Sequence, residues 1–360
     1  MIQKIQINNF KCFQKQNFEL KPMTILAGAN GAGKSSLIQA LLLLQASYKA
    51  TPKTTELKLS DIFPHSIGAV SQLIAQDFLG VPEIKISTQI DNQEAFITFV
   101  PDGSNKQRLI GHGTIQSISR EQFPTFQYLN AERIGPRLHT GFGESEILIS
   151  SDGQNAAYLV EIADQNEYLI SSNLLNDEEP KKFSYQVEKY IAAIMGNVRL
   201  KYDTDYDSTF IRTMLQTDAA DHPVTQPLTG FGYSYAFPIV VAGLLCSCFP
   251  NMVLLVENPE AHLHPHAQSN IGKFLALLTG CGIQVIIETH SEHIIDGARI
   301  QFAYEQKTDR MRVYFFSYDK QGTFVEQIEV NAKGELTSWP RGFFDQKQTD
   351  LRELMRMRRV

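Results

Sequence analysis

The chain has 360 residues, 43% of them hydrophobic and 20% charged, an ordinary globular composition that excludes a disordered or collagenous chain. Lysine and arginine total 33 against 39 aspartate and glutamate, a net charge of −6, so no global basic field drives nucleic-acid binding and any DNA contact needs a local patch. The cysteines, Cys12, Cys246, Cys248 and Cys281, form no pair of CxxC motifs and suit a reduced, cytoplasmic setting.

The opening MIQKIQINNF alternates polar and apolar residues, so it reads as a strand over 2–8 and not as a signal peptide. Phe18–Leu20 is placed to pair with it. Met23–Leu26 is a short apolar run before a glycine-rich turn, and from Lys34 to Leu44 the pattern is helical. Farther on, EIKISTQI, EAFITFV and GTIQSISR alternate between the turn clusters DNQ and PDGSN, which spells an antiparallel sheet. Helices are expected at Asn155–Ala163 and Phe183–Met195, followed by a polar segment, YDTDYDSTF, without clear pattern.

From Gly230 onward helix and strand alternate: helix Ser234–Cys248, strand Met252–Val256, helix Ala267–Leu278, strand Gln284–Ile287. That order belongs to a parallel sheet flanked by helices. The apolar region Ala236–Val256 is long enough to cross a bilayer, but Pro238, Pro250 and Asn251 divide it into two core elements, and no membrane is expected. Strands at Arg312–Ser317 and Phe324–Val330 precede a helix-prone, arginine-rich tail over 351–360.

Three motifs carry chemistry. Gly28-Ala29-Asn30-Gly31-Ala32-Gly33-Lys34-Ser35, followed by Ser36, fits GxxxxGK[ST] between an apolar strand and a helix. Its glycines let backbone N–H groups curl around phosphate, Lys34 neutralises β/γ-phosphate charge and the Ser35 hydroxyl can ligate Mg²⁺. Met252–Glu257 ends a second strand on an acid, making Glu257 the metal-side carboxylate. Gln284–Ile287 ends in Glu288-Thr289-His290-Ser291, and strand C-termini converge on the ligand crevice of a parallel sheet, so His290 is expected to sense the γ-phosphate. The His262-Leu263-His264 pair lacks further ligands at zinc spacing. Asp203, Asp205 and Asp207 read as a solvated loop before a metal site.

Walker A at 28–35, ENPEAHLHP at 257–265 and ETHSEH at 288–293 together resemble the RecF/SMC-type ABC ATPases, most closely the single-chain branch related to the overcoming-lysogenization-defect (OLD) proteins. Asn9-Phe10-Lys11, the Tyr128–Arg137 segment and Trp339-Pro340-Arg341-Gly342-Phe343-Phe344 are similar to that branch too. The resemblance implies an α/β, ABC-type P-loop ATPase head with a mainly parallel sheet, an antiparallel β subdomain and a helical insertion. It is expected to work with ATP and Mg²⁺ as a homodimer or higher oligomer. Thr229–Tyr235 resembles the signature loop, through which Gly232 and Ser234 would reach the partner's nucleotide. The expected division is 1–50 and 216–330 for the head, 51–125 for the antiparallel part, 126–215 for a mainly helical lobe and 331–360 for the tail.

One residue departs from the family pattern. The position that normally carries the water-polarising glutamate is Asn258, and an amide is no general base. Glu260 and Glu288 are therefore the candidate bases, and slow turnover is the alternative. Arg133 and Arg137 are candidate phosphate or DNA contacts. The function expected is an ATP-driven switch in DNA repair or anti-phage defence that senses or clamps DNA or holds a separate effector such as a nuclease. A nucleotide-locked scaffold is the second reading. A nuclease domain within this chain is disfavoured, and a small-molecule kinase is ranked last.

Overall fold

The computed structural model describes residues 1–50, 55–63, 68–75, 82–175, 182–217, 221–228, 230–320, 322–340 and 342–357. Thr229 and Arg341, and residues 358–360 of the tail, lie outside the described residues. The chain opens with β1 (Ile2–Phe10), β2 (Phe13–Glu19) and β3 (Met23–Gly28), then α1 (Lys34–Lys49). Strand β4 (Thr55–Lys58), the short α2 (Leu59–Ile62), and β5 (Ile84–Ile90), β6 (Gln93–Asp102) and β7 (Asn105–Gly113) follow. An antiparallel sheet forms in the order β2-β1-β5-β6-β7-β4. It therefore draws two strands from the first 19 residues as well as four from 55–113.

The next stretch holds β8 (Thr125–Leu129), β9 (Thr140–Gly141), α3 (Ala156–Gln165), α4 (Phe183–Met195), β10 (Val198–Asp205), β11 (Phe210–Thr217) and β12 (Val224–Thr225). The unpatterned YDTDYDSTF segment is the tip of the β10–β11 hairpin, where Asp205 accepts the Ser208 amide at 2.9 Å. Its first residues alternate in burial, Tyr202 and Thr204 half-buried and Asp203 exposed between them, because the strand leaves one face in solvent.

Then come α5 (Phe231–Cys248), β13 (Met252–Glu257), α6 (Pro265–Leu278), β14 (Gln284–Glu288), α7 (Glu292–Tyr304), β15 (Met311–Asp319), β16 (Gly322–Glu329) and α8 (Gln346–Met357). The second large sheet runs β16-β15-β3-β14-β13-β8, parallel throughout except for edge strand β16. Alternation along its strands separates two cores. Val253, Leu255 and Ile286 face α1 and the antiparallel sheet, whereas Leu254, Val256, Val285 and Ile287 face α5, α6 and α7.

Among the described residues, α5 is the one helix long and apolar enough to cross a membrane, and 72% of it is buried inside the protein. Pro238 lies within this helix and does not start it. A proline there removes the bond to the Ser234 carbonyl one turn back, and its ring sits against Gly153, where an added Cβ would approach to 2.7 Å.

Candidate functional site

Strands β3, β13 and β14 bring the three motifs to one end of the parallel sheet. The glycine-rich loop leaves β3 with positive φ at Gly28, Gly31 and Gly33. Gly28 is fixed by packing too, because a Cβ there would lie 2.0 Å from the Phe316 carbonyl oxygen of β15. Asn30 and Gly31 are exposed, Ala32 and Ser36 are buried, and Gly33 precedes α1.

Lys34 folds back over the loop. Its Nζ donates to the carbonyls of Gly28 at 3.0 Å and Ala29 at 2.8 Å and lies 3.8 Å from Glu288 Oε1. Burial pulls the Lys34 pKa below its usual value, partly offset by Glu288 and Glu260. The Ser35 hydroxyl donates to Glu288 Oε2 at 2.8 Å. Burial, then the charge of Glu257, raises the Glu288 carboxyl to about 7, with Ser35 and Lys34 acting in the opposite direction.

Glu257 and Glu288 face each other in register at the ends of β13 and β14. Glu257 Oε1 accepts the Tyr128 hydroxyl of β8 at 2.9 Å, and burial followed by that negative neighbour pushes the Tyr128 pKa far up, so it stays a donor. Glu260 is spent differently: its carboxylate accepts Thr289 Oγ1 at 2.7 Å and the His290 amide at 2.6 Å. It therefore positions the His290 backbone. The His290 ring is exposed, with its pKa lowered by partial burial and by Lys34.

Asn258 adopts φ 44° and closes the β13 turn, its amide donating to the Glu288 carbonyl at 2.8 Å. Its side-chain Oδ1 is buried without a protein partner. The turn is clasped from behind by Arg133, which is 3% exposed. Arg133 donates to the carbonyls of Asn130 at 2.8 Å, Glu257 at 2.6 Å and Asn258 at 2.5 Å. Its guanidinium lies 5.4 Å over the Tyr235 ring of α5, and burial lowers its pKa to about 10. This corrects the expectation of a phosphate or DNA contact for Arg133, because all this hydrogen bonding is directed into the protein. Arg137 is exposed.

The signature-like residues pack on the same turn. A Cβ on Gly232 would meet the His262 carbonyl at 3.2 Å, and the Phe231 and Tyr235 rings lie 5.2 and 4.4 Å from the His262 ring. Ser234 is 5% exposed and donates to Gln226 Oε1 at 3.4 Å. Asp203 pairs with Arg212 at 3.8 Å on the remote hairpin. Among the described residues no group of three or more His, Cys, Asp or Glu is arranged to hold a metal ion by itself.

Cavities flank the P-loop. One of about 870 Å³ is lined by Lys11, Cys12, Gly31, Tyr318, Lys320 and Thr323. Another, of about 270 Å³, lies between Gly28, Ala29 and His290 on one side and Gly342, Phe344 and Asp345 on the other. Sequence reasoning missed the contact of Tyr128 with Glu257 and the inward hydrogen bonding of Arg133. The signal was a tyrosine and an arginine bracketing the end of a strand, in a segment quoted for its resemblance and, at Arg133, for a phosphate or DNA contact.

A family model described as "AAA domain, putative AbiEii toxin, Type IV TA system" matches residues 23–296. The chain belongs to this family. A second model, "Protein of unknown function (DUF3696)", matches 307–354. The chain is 23% identical to the Old nuclease of Escherichia phage P2 over 81% of its own length and 56% of that protein. It is likewise 23% identical to the OLD nuclease of Thermus scotoductus, over 86% of its own length and 62% of that one. It thus spans less than two thirds of either relative.

Among solved structures, the Smc head domain from Pyrococcus furiosus bound to the C-terminal domain of ScpA superposes with TM-score 0.57 at 14% identity, covering 98% of this chain and 99% of that one. An SmcHead bound to the C-winged helix domain of ScpA gives 0.55 at 14% identity, covering 92% and 98%. The fold is that of an SMC-like ABC ATPase head.

Proposed function

We propose that this chain binds and hydrolyses ATP with Mg²⁺ as a switch that closes on a second copy, and that it serves anti-phage defence or DNA repair by sensing DNA or holding a separate effector. The observation that carries the nucleotide reading is the meeting of Lys34 and Ser35 with Glu288 and Glu257 at one sheet end. The terminal phosphates follow Lys34, and the nucleoside end extends past Gly31 toward the larger cavity.

The donor set suits a hard cation: a hydroxyl and two carboxylates, all oxygen. Ser35 would hold Mg²⁺ directly, with Glu257 and Glu288 acting through its water shell. When bound, the ion neutralises phosphate oxygens. The protein's own contribution is to keep Lys34 and Ser35 fixed and His290 facing the phosphate end through the Glu260 contacts. Closure on a second copy is supported by the SMC-head fold, while Ser234, expected to reach the partner's nucleotide, is buried and hydrogen-bonded to Gln226 of its own chain. A nuclease or DNA as the partner rests on the names of the OLD relatives.

A nucleotide-locked scaffold is the second reading, favoured by Asn258 at the usual base position. Steady-state ATP hydrolysis with and without duplex DNA, beside Lys34→Ala, separates the two. The expected result is turnover at least about tenfold above Lys34→Ala, since that variant loses the phosphate-neutralising charge. Turnover equal to the control, with ATP still bound, establishes the locked scaffold in its place.

A further inference from the structure

If ATP is hydrolysed here, a group must accept the proton of the attacking water, and the carboxylates beside the P-loop divide by what they already hold. Glu260 has one oxygen on Thr289 and the other on the His290 amide. Glu288 is bound to Ser35 and faces Lys34. Glu257 takes the Tyr128 hydroxyl on the metal side. Asp319 lines the other cavity, on the Gly31 side of the loop. Asn258 is an amide.

One more carboxylate opens on the phosphate end. Asp345 lines the 270 Å³ cavity together with Gly28, Ala29 and His290. Gly28 and Ala29 are the residues whose carbonyls hold Lys34 Nζ, so this cavity borders the loop that carries that ammonium, on the side of His290. A liquid water takes about 30 Å³, which leaves room for the phosphoryl group and a water beside it.

The turn that carries Asp345 is anchored to the P-loop strand. Phe343 is 1% exposed and meets Phe315 of β15 edge to face at 5.2 Å. Strand β15 pairs with β3 as far as Phe316 and Gly28, and the Ala29 amide donates to the Phe316 carbonyl at 3.2 Å. Positive φ at Gly342 and Phe344, on either side of the plug, reverses the chain, and the Gly342 amide closes on Asp345 Oδ2 at 3.1 Å. A carboxylate far along the chain is thereby held at the mouth of the first loop.

We propose that Asp345 is the catalytic carboxylate that activates water, replacing the function lost at Asn258, and that the C-terminal segment is therefore part of the ATPase site. This rests on the ATPase reading above. The water oxygen bonds to the γ-phosphorus as the bond to the β,γ-bridging oxygen breaks. That electron pair stays on ADP, and the water proton passes to the Asp345 carboxylate.

The test uses the full chain, with Lys34→Ala as background and a fluorescent ATP analogue to measure affinity. Asp345→Asn is expected to keep its Kd within about threefold of wild type while turnover falls by about 100-fold or more, the usual share of a general base. Asp345→Glu should recover part of it, which a merely structural role would not explain. Unchanged turnover in Asp345→Asn overturns the proposal, as does a loss of ATP affinity that parallels the loss of turnover. Wild-type turnover no higher than Lys34→Ala sinks the ATPase reading and this one together, whereas a fully active Asp345→Asn beside an active wild type sinks only this one.

Discussion

Strands β13 and β14 lie side by side in register and both end on a glutamate, yet the two ends are built on opposite principles. The β13 end is held through its backbone: Arg133 takes the carbonyls of Glu257 and Asn258, and Glu257 keeps its side chain half-buried beside Tyr128. The β14 end is held through side chains, because Glu288 is buried and bound to Ser35 and Lys34 of the loop it faces. Residue type alone does not assign these roles. On the function proposed above, a carboxylate whose oxygens face the P-loop serves metal and phosphate, whereas Glu260, clamped by the Thr289 hydroxyl and the His290 amide, orients the chain.

The largest effect follows from unclasping the β13 turn. Arg133→Met fills similar volume but takes this donor from the Asn130 and Glu257 carbonyls, while the Asn258 carbonyl keeps the Ala261 amide at 3.1 Å, and stranded buried polar groups cost about 1–3 kcal/mol each. Urea unfolding should show a loss of about 3 kcal/mol or more. Arg133→Lys should fall between, since an ammonium cannot span two carbonyls as the planar fork does. A loss under about 1 kcal/mol for Arg133→Met would mean that the turn holds itself. The contrast with β14 would then collapse.

Much of this arrangement was legible in the residues because it is local. GANGAGKS announces a phosphate loop, and the apolar runs before Glu257 and Glu288 announce parallel strands whose ends meet. Strands β5 and β6 were legible from their alternation, but GTIQSISR is not a strand, since Ile115–Ser117 forms a 3-10 turn after β7 (Asn105–Gly113), and the place of β1 and β2 in the sheet was not legible because strand order is set by long-range pairing. The role of Arg133 was hidden for a similar reason. Nothing at positions 130–133 says that the guanidinium will be buried under residues 257 and 258. The proximity of Asp345 to the loop was hidden by distance along the chain, since Gly28 and Ala29, which line the same cavity, lie more than 300 positions earlier.

The β14 end should respond to pH where the β13 turn does not. A carboxyl whose folded pKa is raised contributes full stability below its unfolded pKa and loses it as pH rises toward the folded value. For Glu288 that window runs from about 4.5 up to about 7. In the nucleotide-free, metal-chelated chain, Glu288→Gln should therefore match wild type near pH 4 and exceed it near pH 8, by on the order of 2–3 kcal/mol. Urea midpoints of the two proteins across that range make the measurement. A difference that stays flat from pH 4 to 8 would show that Ser35 and Lys34 already compensate the buried charge.

The smallest effect belongs to the side chain at the β13 end. Tyr128→Phe removes only the hydroxyl that donates to Glu257 Oε1 at 2.9 Å, and half-buried Glu257 can replace that donor with water. The expected loss is about 1 kcal/mol in stability, near the net worth of one hydrogen bond. Without this restraint the Glu257 carboxylate has more rotamers to choose from, so manganese affinity, read by electron paramagnetic resonance, should weaken by about two- to threefold. Glu288→Gln removes a charge next to the Ser35 hydroxyl and should weaken it more. If Tyr128→Phe costs the ion as much as Glu288→Gln does, Glu257 is the dominant metal-side carboxylate, and the two strand ends share the cation in the reverse proportion.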